Sequence, residues 1–252
     1  MSTADTSWLD PVRAALDTRS TPTAAFVRDD DAGWGHDHLA ALVSTAGGHG
    51  VVIDLAVIPD ALDDAVAADL VRWTESGHVR LHQHGRCHAN HELEGRACEF
   101  GPGRSRHDQQ LDLLHGSRRL AAQLGPLVDP VFTPPWNRCT AVTAELLAEL
   151  GWRVLSRDHT AERFGRPDLI EIPVTFDWFG KTGGRPWGPI ERAERLASSL
   201  ADSEGAATGI MLHHAVTDPE GLAAIDQLLA LLATHPMVRL TSLADLAAAV
   251  AG

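Results

Sequence analysis

The chain has 252 residues and a formal charge of −13, from 21 Lys+Arg against 34 Asp+Glu. A surplus of carboxylates is poor equipment for neutralising phosphates, which argues against a nucleic-acid clamp and against a binder of anionic membranes. The length suits one large α/β domain, 44% hydrophobic residues argue against wholesale disorder, and the unusual entry is fourteen histidines.

The amino-terminal stretch has no basic segment followed by an apolar one, so no secretory signal is expected. No apolar run approaches 18 residues, so no membrane span is expected either. Cys87, Cys98 and Cys139 are scattered and odd in number, which fits a reducing compartment and a cytoplasmic protein.

Short apolar runs then alternate with amphipathic segments. Ala24 to Arg28 predicts a first strand that ends in Asp29, Asp30 and Asp31. Val51 to Ile58 predicts a buried parallel strand stopped by Pro59. Further strands are expected at His78–His82, Pro130–Thr133, Trp152–Ser156, Leu169–Phe176, Gly209–Leu212 and Pro236–Leu240. Apolar residues at three-to-four spacing predict helices at Leu39–Ala46, Asp60–Ser76, Asp108–Leu124, Ala141–Leu150, Pro189–Leu200, Glu220–Thr234 and Leu243–Val250. Such alternation implies parallel βαβ units, and about seven of them fit a single-domain (β/α) barrel over residues 1–252. A doubly wound open sheet is the alternative. The irregular stretch from Gly85 to His107 is long enough to suggest a functional loop.

The polar residues fall at strand ends. The aspartate run ends the first strand, and His82, His84 and His88 end and follow the third. Thr133 to Asn137 follows the fourth, Asp177-Trp178 the sixth, and His213-His214 the seventh. The carboxyl ends of barrel strands converge on one face, where active sites sit. His84 and His88 are four apart, so a helical turn would bring both imidazoles to one side. Two imidazoles and a carboxylate make a divalent-metal site with open positions. A histidine ending the seventh strand could serve as a general acid. Trp34, Trp136, Trp178 and Trp187 adjoin the expected mouth, where flat apolar faces suit sugar rings or other small cyclic ligands.

In this order the motifs resemble those of the polysaccharide deacetylases, carbohydrate esterase family 4. The matching segments are Arg28-Asp29-Asp30-Asp31, His84-Gly-Arg-Cys-His88, Thr133-Pro-Pro-Trp136, Asp177-Trp178 and Leu212-His213. They span most of the chain and look like a divergent branch. The resemblance implies a distorted (β/α) barrel that hydrolyses an N-acetyl or similar amide with a divalent metal, commonly zinc. It implies that Asp31, His84 and His88 hold the metal and that Asp30 is the base. It makes His213 the acid, with Asp177 near it as orienter, and puts an oxyanion-stabilising backbone N–H near Pro135 and Trp136. Trp34, Trp136, Pro135 and Trp178 would line the substrate site. Asp29 shifts the alignment by one; Ala32-Gly33 after the run favours Asp30 and Asp31 as the pair. The family arginine that orients the base is Thr133 here, and Arg28 is expected to replace it by reaching across the mouth. Only one of His213 and His214 should face the site, because side chains alternate along a strand.

The expected substrate is a small acylated compound, sugar-like or otherwise. A catalytically degenerate metal- or sugar-binding module is the rival reading, motivated by Thr133. A non-haem iron oxygenase is a third; it gives Asp30 and His213 no necessary task.

Overall fold

The computed structural model describes residues 5–202 and 206–251. The first four residues of the amino-terminal stretch lie outside these. In chain order the elements are α1 (Asp10–Asp17), β1 (Thr23–Ala32), α2 (His36–Gly48), β2 (Ile53–Val57), α3 (Asp64–Glu75), β3 (Val79–His84), α4 (Arg106–Leu124) and β4 (Val128–Thr133). They continue with α5 (Ala141–Leu150), β5 (Val154–Leu155), β6 (Ile170–Glu171), β7 (Phe176–Asp177), β8 (Lys181–Thr182), β9 (Arg185–Pro186), α6 (Pro189–Asp202), β10 (Thr208–Leu212), α7 (Pro219–Thr234), β11 (Val238–Leu240) and α8 (Leu243–Ala251).

Local chemistry sets many of these boundaries. Asp63, Ser105 and Asp218 each accept a backbone N–H in the first turn of α3, α4 and α7, which satisfies donors that a helix start leaves open. Thr140 and Thr143 form a reciprocal cap on α5, and Gly151 ends that helix in a left-handed conformation. β1 is buried along nearly its whole length, as expected of a central parallel strand. Its first residues pair with β11 and its later ones with β2, while β10 runs along the other side. The sequence pattern predicts neither α1, which packs on α6, nor the β8–β9 hairpin.

The main sheet is parallel, in the order β6-β5-β4-β3-β2-β1-β10-β7, and it curls into a distorted (β/α) barrel. The expected sixth strand proves to be two ladders on one extended stretch. Ile172 and Val174 donate to Leu155 and Arg157 on the β5 side, at 3.1 and 2.9 Å. Thr175 and Trp178 then donate to Gly209 and Met211 on the β10 side, at 2.8 and 3.0 Å. The handover follows Pro173, which has no N–H to give. One stretch thus serves both edges of the curled sheet. Val27, Ile53, Leu55, Leu81, Ile210 and Leu212 pack with Leu39, Leu42, Leu70 and Leu228 of the surrounding helices to form the main core. Among the described residues no helix is long and apolar enough to cross a membrane.

Candidate active site and metal centre

β1, β3, β4 and β10 bring their carboxyl ends together, and the three aspartates of β1 part there. Arg28 and Asp30, two apart on an extended strand, face the same side. Asp29 faces the other way. The pairing of β1 with β2 shifts register between Asp29 and Ala32, and Asp31 has a positive φ of 72°. This bulge turns Asp31 away from the alternation and aims it at β3.

Asp29 is fully buried and belongs to His214. One of its oxygens accepts the His214 backbone N–H at 2.9 Å and the other meets Nδ1 at 2.5 Å. Nε2 of the same ring faces the Trp34 carbonyl at 2.7 Å. Both ring nitrogens therefore face acceptors, which only the imidazolium can satisfy with two N–H groups. Burial works against that charge, but Asp29 and the Trp34 carbonyl outweigh it and push the pKa up to about 9. His214 is a buried strut, and His213 is the histidine that lines the pocket.

Asp30 is bound by Arg28. Nε and Nη2 of the guanidinium donate to its two oxygens at 2.8 and 2.9 Å, while further N–H groups reach Ser156 Oγ at 2.8 Å and Asn137 Oδ1 at 2.7 Å. Burial pushes the Asp30 carboxyl up, but Arg28, with His84 and His213, prevails and holds it at about 2. The expectation that Arg28 reaches across the mouth is corrected in its route: it reaches along its own strand. Thr133 instead hydrogen-bonds His82 at 2.8 Å; that ring is buried beside Arg28 and is pushed down to about 3, hence neutral.

Asp31, His84 and His88 converge. Their ligating atoms all lie within 4.8 Å of one another. Nε2 of His84 and of His88 stand 3.3 and 3.2 Å from Asp31 Oδ1, which is buried and has no hydrogen-bond partner among the described residues. A buried carboxylate oxygen without a donor is costly, and a cation is what two imidazoles and a carboxylate can share. His84 Nδ1 donates to the Thr133 carbonyl at 2.9 Å, which leaves the lone pair of Nε2 free on the side facing Asp31. The residues present fit a divalent metal.

The route of His88 to this centre differs from the expected helical turn. His84 ends β3, and the chain from Gly85 to His88 folds around one buried side chain, Glu99. Glu99 accepts the N–H groups of Arg86, Cys87 and His88 at 3.1, 2.9 and 3.2 Å. A side chain at Gly85, where φ is 56°, would collide with Glu99 and Pro135. Glu99 lies eleven residues beyond His88, with no motif to mark it. Asn137, which the sequence places after the fourth strand, and Ser156, which ends the fifth, hold Arg28, a role that no motif marks.

Tryptophan roles divide. Trp136 lies 4.3 Å from the His88 ring centroid and lines the pocket; Trp34, 42% exposed, lies 5.1 Å from it on edge. Trp178 is a correction: it is 1% exposed, packed against Trp8 and Phe176 with Arg192 over its face, and does not line the mouth. Pro135 is buried under the turn that carries Trp136, and the Asn137 and Arg138 amides are taken by the Pro134 and Pro135 carbonyls. Asp177 lines the pocket with His213, but its carboxylate accepts the Phe179 N–H at 2.9 Å, and no hydrogen bond or ion pair joins the two residues. Burial pushes the Asp177 carboxyl up. The non-glycine residues with positive φ among those described are Asp31, His88, Trp136 and Asn137, all in this site.

No family model and no curated protein matches the chain. Solved structures do. A protein of Mycobacterium smegmatis described as a polysaccharide deacetylase is 19% identical, with a TM-score of 0.71, over 92% of this chain and 90% of that one. A family 4 acetyl xylan esterase from Clostridium thermocellum, in complex with a cobalt ion, is 17% identical, with a TM-score of 0.59, over 88% of this chain and 89% of that one. A pseudoenzyme of the same family from Bacillus anthracis is 12% identical, with a TM-score of 0.58, over 90% of this chain and 66% of that one. The chain has the fold of the family 4 carbohydrate esterases, the polysaccharide deacetylases.

Proposed function

We propose that the protein is a metal-dependent hydrolase that removes an acyl group, acetyl in the simplest case, from an amide nitrogen of a small sugar-like compound. The observation that carries this reading is the partnerless Asp31 Oδ1 between the Nε2 atoms of His84 and His88, beside an Asp30 held ionised by Arg28. Asp31, His84 and His88 would hold the metal, zinc being the first choice for this donor set. A bound divalent cation would polarise the acyl carbonyl and acidify water.

The chain's own residues supply the rest. Asp30 takes the proton of the attacking water. Its fork to Arg28 keeps it charged and aimed, so a neutral acid does not compete at working pH. The pocket lies on the Trp136 side of the centre, and the Trp136 N–H, unlike its two successors, has no backbone carbonyl partner among the described residues and can face the developing oxyanion. His213 delivers a proton to the departing nitrogen, with the Asp177 carboxyl in the same pocket. Trp136 and Trp34 offer ring faces to the sugar. Arg28 on Asp30 supports a hydrolase over a catalytically degenerate binder, because the orienting arginine is present although Thr133 stands at the family position. The three free cysteines are in keeping with a reducing compartment.

The test measures divalent-metal stoichiometry on the purified protein and amine release from a panel of N-acetylated sugars and small cyclic amides. Asp30→Asn should retain the metal and lose amine release. Protein that binds no divalent ion and releases no amine would overturn the reading, and an active Asp30→Asn would remove Asp30 as base.

A further inference from the structure

The pocket holding His213 is larger than the reaction centre needs. Its volume is about 830 Å³, and it extends from Trp136 along the turn to Arg138, and across to the loop carrying Arg96. Arg96 and Arg138 therefore join Arg157 on the cavity that the hydrolase reading gives to the substrate.

Arg138 is half-buried. One of its N–H groups donates to the Ala97 carbonyl at 2.9 Å, and among the described residues no carboxylate lies within ion-pairing distance. Arg96 is exposed and makes no ion pair among the described residues. Burial, followed by the charge of Arg96, makes the cationic state of Arg138 harder to hold than that of an ordinary arginine. Arg157, on the same cavity, shows the usual arrangement: Glu171 meets it at 2.7 Å and Phe164 lies under its guanidinium.

The cavity's acids do not answer this pair. Glu92 accepts the Gly103 amide at 3.2 Å. Asp158 accepts the amide and hydroxyl of Thr160, and Asp177 the amide of Phe179. Glu94 is exposed and forms no ion pair among the described residues. Two neighbouring cations beside the proton donor are thus left without a carboxylate at ion-pairing distance among the described residues, although the chain carries a net charge of −13 and acids line the same cavity.

We propose that Arg138, assisted by Arg96, binds an anionic group on the substrate, so that the natural substrate is a small N-acylated compound bearing a carboxylate or a phosphate. A guanidinium presents a rigid fork of donors that matches either group. This proposal rests on the hydrolase reading for its choice of pocket, yet it fails or stands separately.

The experiment titrates the metal-loaded protein calorimetrically with three probes: N-acetylglucosamine, its 6-phosphate, and N-acetylmuramic acid, which adds a carboxylate. At least one anionic probe should bind about tenfold or more tightly than the neutral sugar. Arg138→Gln should bring it down to the affinity of the neutral sugar, Arg138→Lys should recover part of the preference, and Arg96→Gln should lose part of it. A melting curve checks that each variant folds. Equal affinity for all three probes, no binding by any of them, or a preference that survives Arg138→Gln would overturn the proposal. Amine release is followed on the same samples. An Arg138-dependent preference without amine release would leave the anion site standing and sink the hydrolase reading. Amine release at equal kcat/KM from neutral and anionic sugars would do the reverse.

Discussion

Arg28 lays two nitrogens of its guanidinium on the two oxygens of Asp30, from two positions back on the same strand. Both side chains are buried, so neither charge has water to fall back on. Removing one partner of such a pair costs about 3–5 kcal/mol, because the other is left charged and buried. Arg28→Met should therefore lower stability by that order, measured by denaturant unfolding, and should raise the Asp30 carboxyl. Arg28→Lys keeps a charge but loses the fork. It should fold and should lose about 10- to 100-fold in kcat, with a smaller change in KM. Unchanged kcat in Arg28→Lys would show that the fork does not matter to the base.

Glu99 meets His88 through the backbone N–H rather than the imidazole, and with the amides of Arg86 and Cys87 it grips the chain on which that imidazole rides. Glu99→Ala should weaken zinc binding by about 10- to 100-fold, measured by competition with a chromogenic chelator. Glu99→Gln keeps an acceptor oxygen but brings an NH2 group against backbone donors, so it should fall between. Wild-type affinity in Glu99→Ala would show that the loop holds its shape by other means.

His214 makes stability depend on pH on the alkaline side. Its folded pKa, about 9, lies above the reference value of 6.5. The stabilisation is therefore complete below pH 6.5 and is lost as pH rises through 9. It amounts to about 3 kcal/mol. Unfolding curves between pH 6 and 10 should show this decline, and His214→Gln should flatten it. A decline of the same size in His214→Gln would assign it to other groups.

Asp54 acts at the opposite end of β2 from the metal centre. Burial, reinforced by Asp129 and Asp245 against the pull of the Leu243 amide and Arg80, raises its carboxyl to about 8. An acid with a raised folded pKa gives stability that is complete below its unfolded pKa, near 4, and is lost as pH rises through 8. Asp54→Asn should keep the acceptor for the Leu243 amide and remove that loss. Its melting temperature should exceed the wild-type value at pH 9 and approach it at pH 5. A variant no more stable than wild type at pH 9 would refute the assignment.

The sequence announces this fold through period and punctuation. β2, β3, α5 and α7 lie close to where their apolar spacing puts them, since burial is what that spacing records. The aspartate run was legible as a strand end, and the division of labour among Asp29, Asp30 and Asp31 followed in part from alternation. The positive φ at Asp31 was not legible, because a bulge depends on how β2 pairs alongside. The His84–His88 spacing suggested a helix turn; a loop wound on Glu99 gives the same convergence, and sequence distance does not separate the two. Trp178 sits beside the Asp177 motif and reads as part of the mouth. On an extended chain its side must oppose that of Asp177, and the core takes it. Glu99 carries no local signal, and the positions of Asn137 and Ser156 at strand ends do not reveal their hold on Arg28, because these segments meet only after folding.

The extended stretch that hands over from β5 to β10 has a consequence for cooperativity. The hydrogen bonds that close the curled sheet and those that seat Asp177 beside β10 belong to one continuous run of eight residues, Ile170 to Asp177. The pocket wall and the closure of the sheet therefore form one unit of opening rather than two. Amide exchange at Ile172, Val174 and Thr175 should proceed with a common free energy, and any event that frees Asp177 from β10 unzips the barrel at its seam.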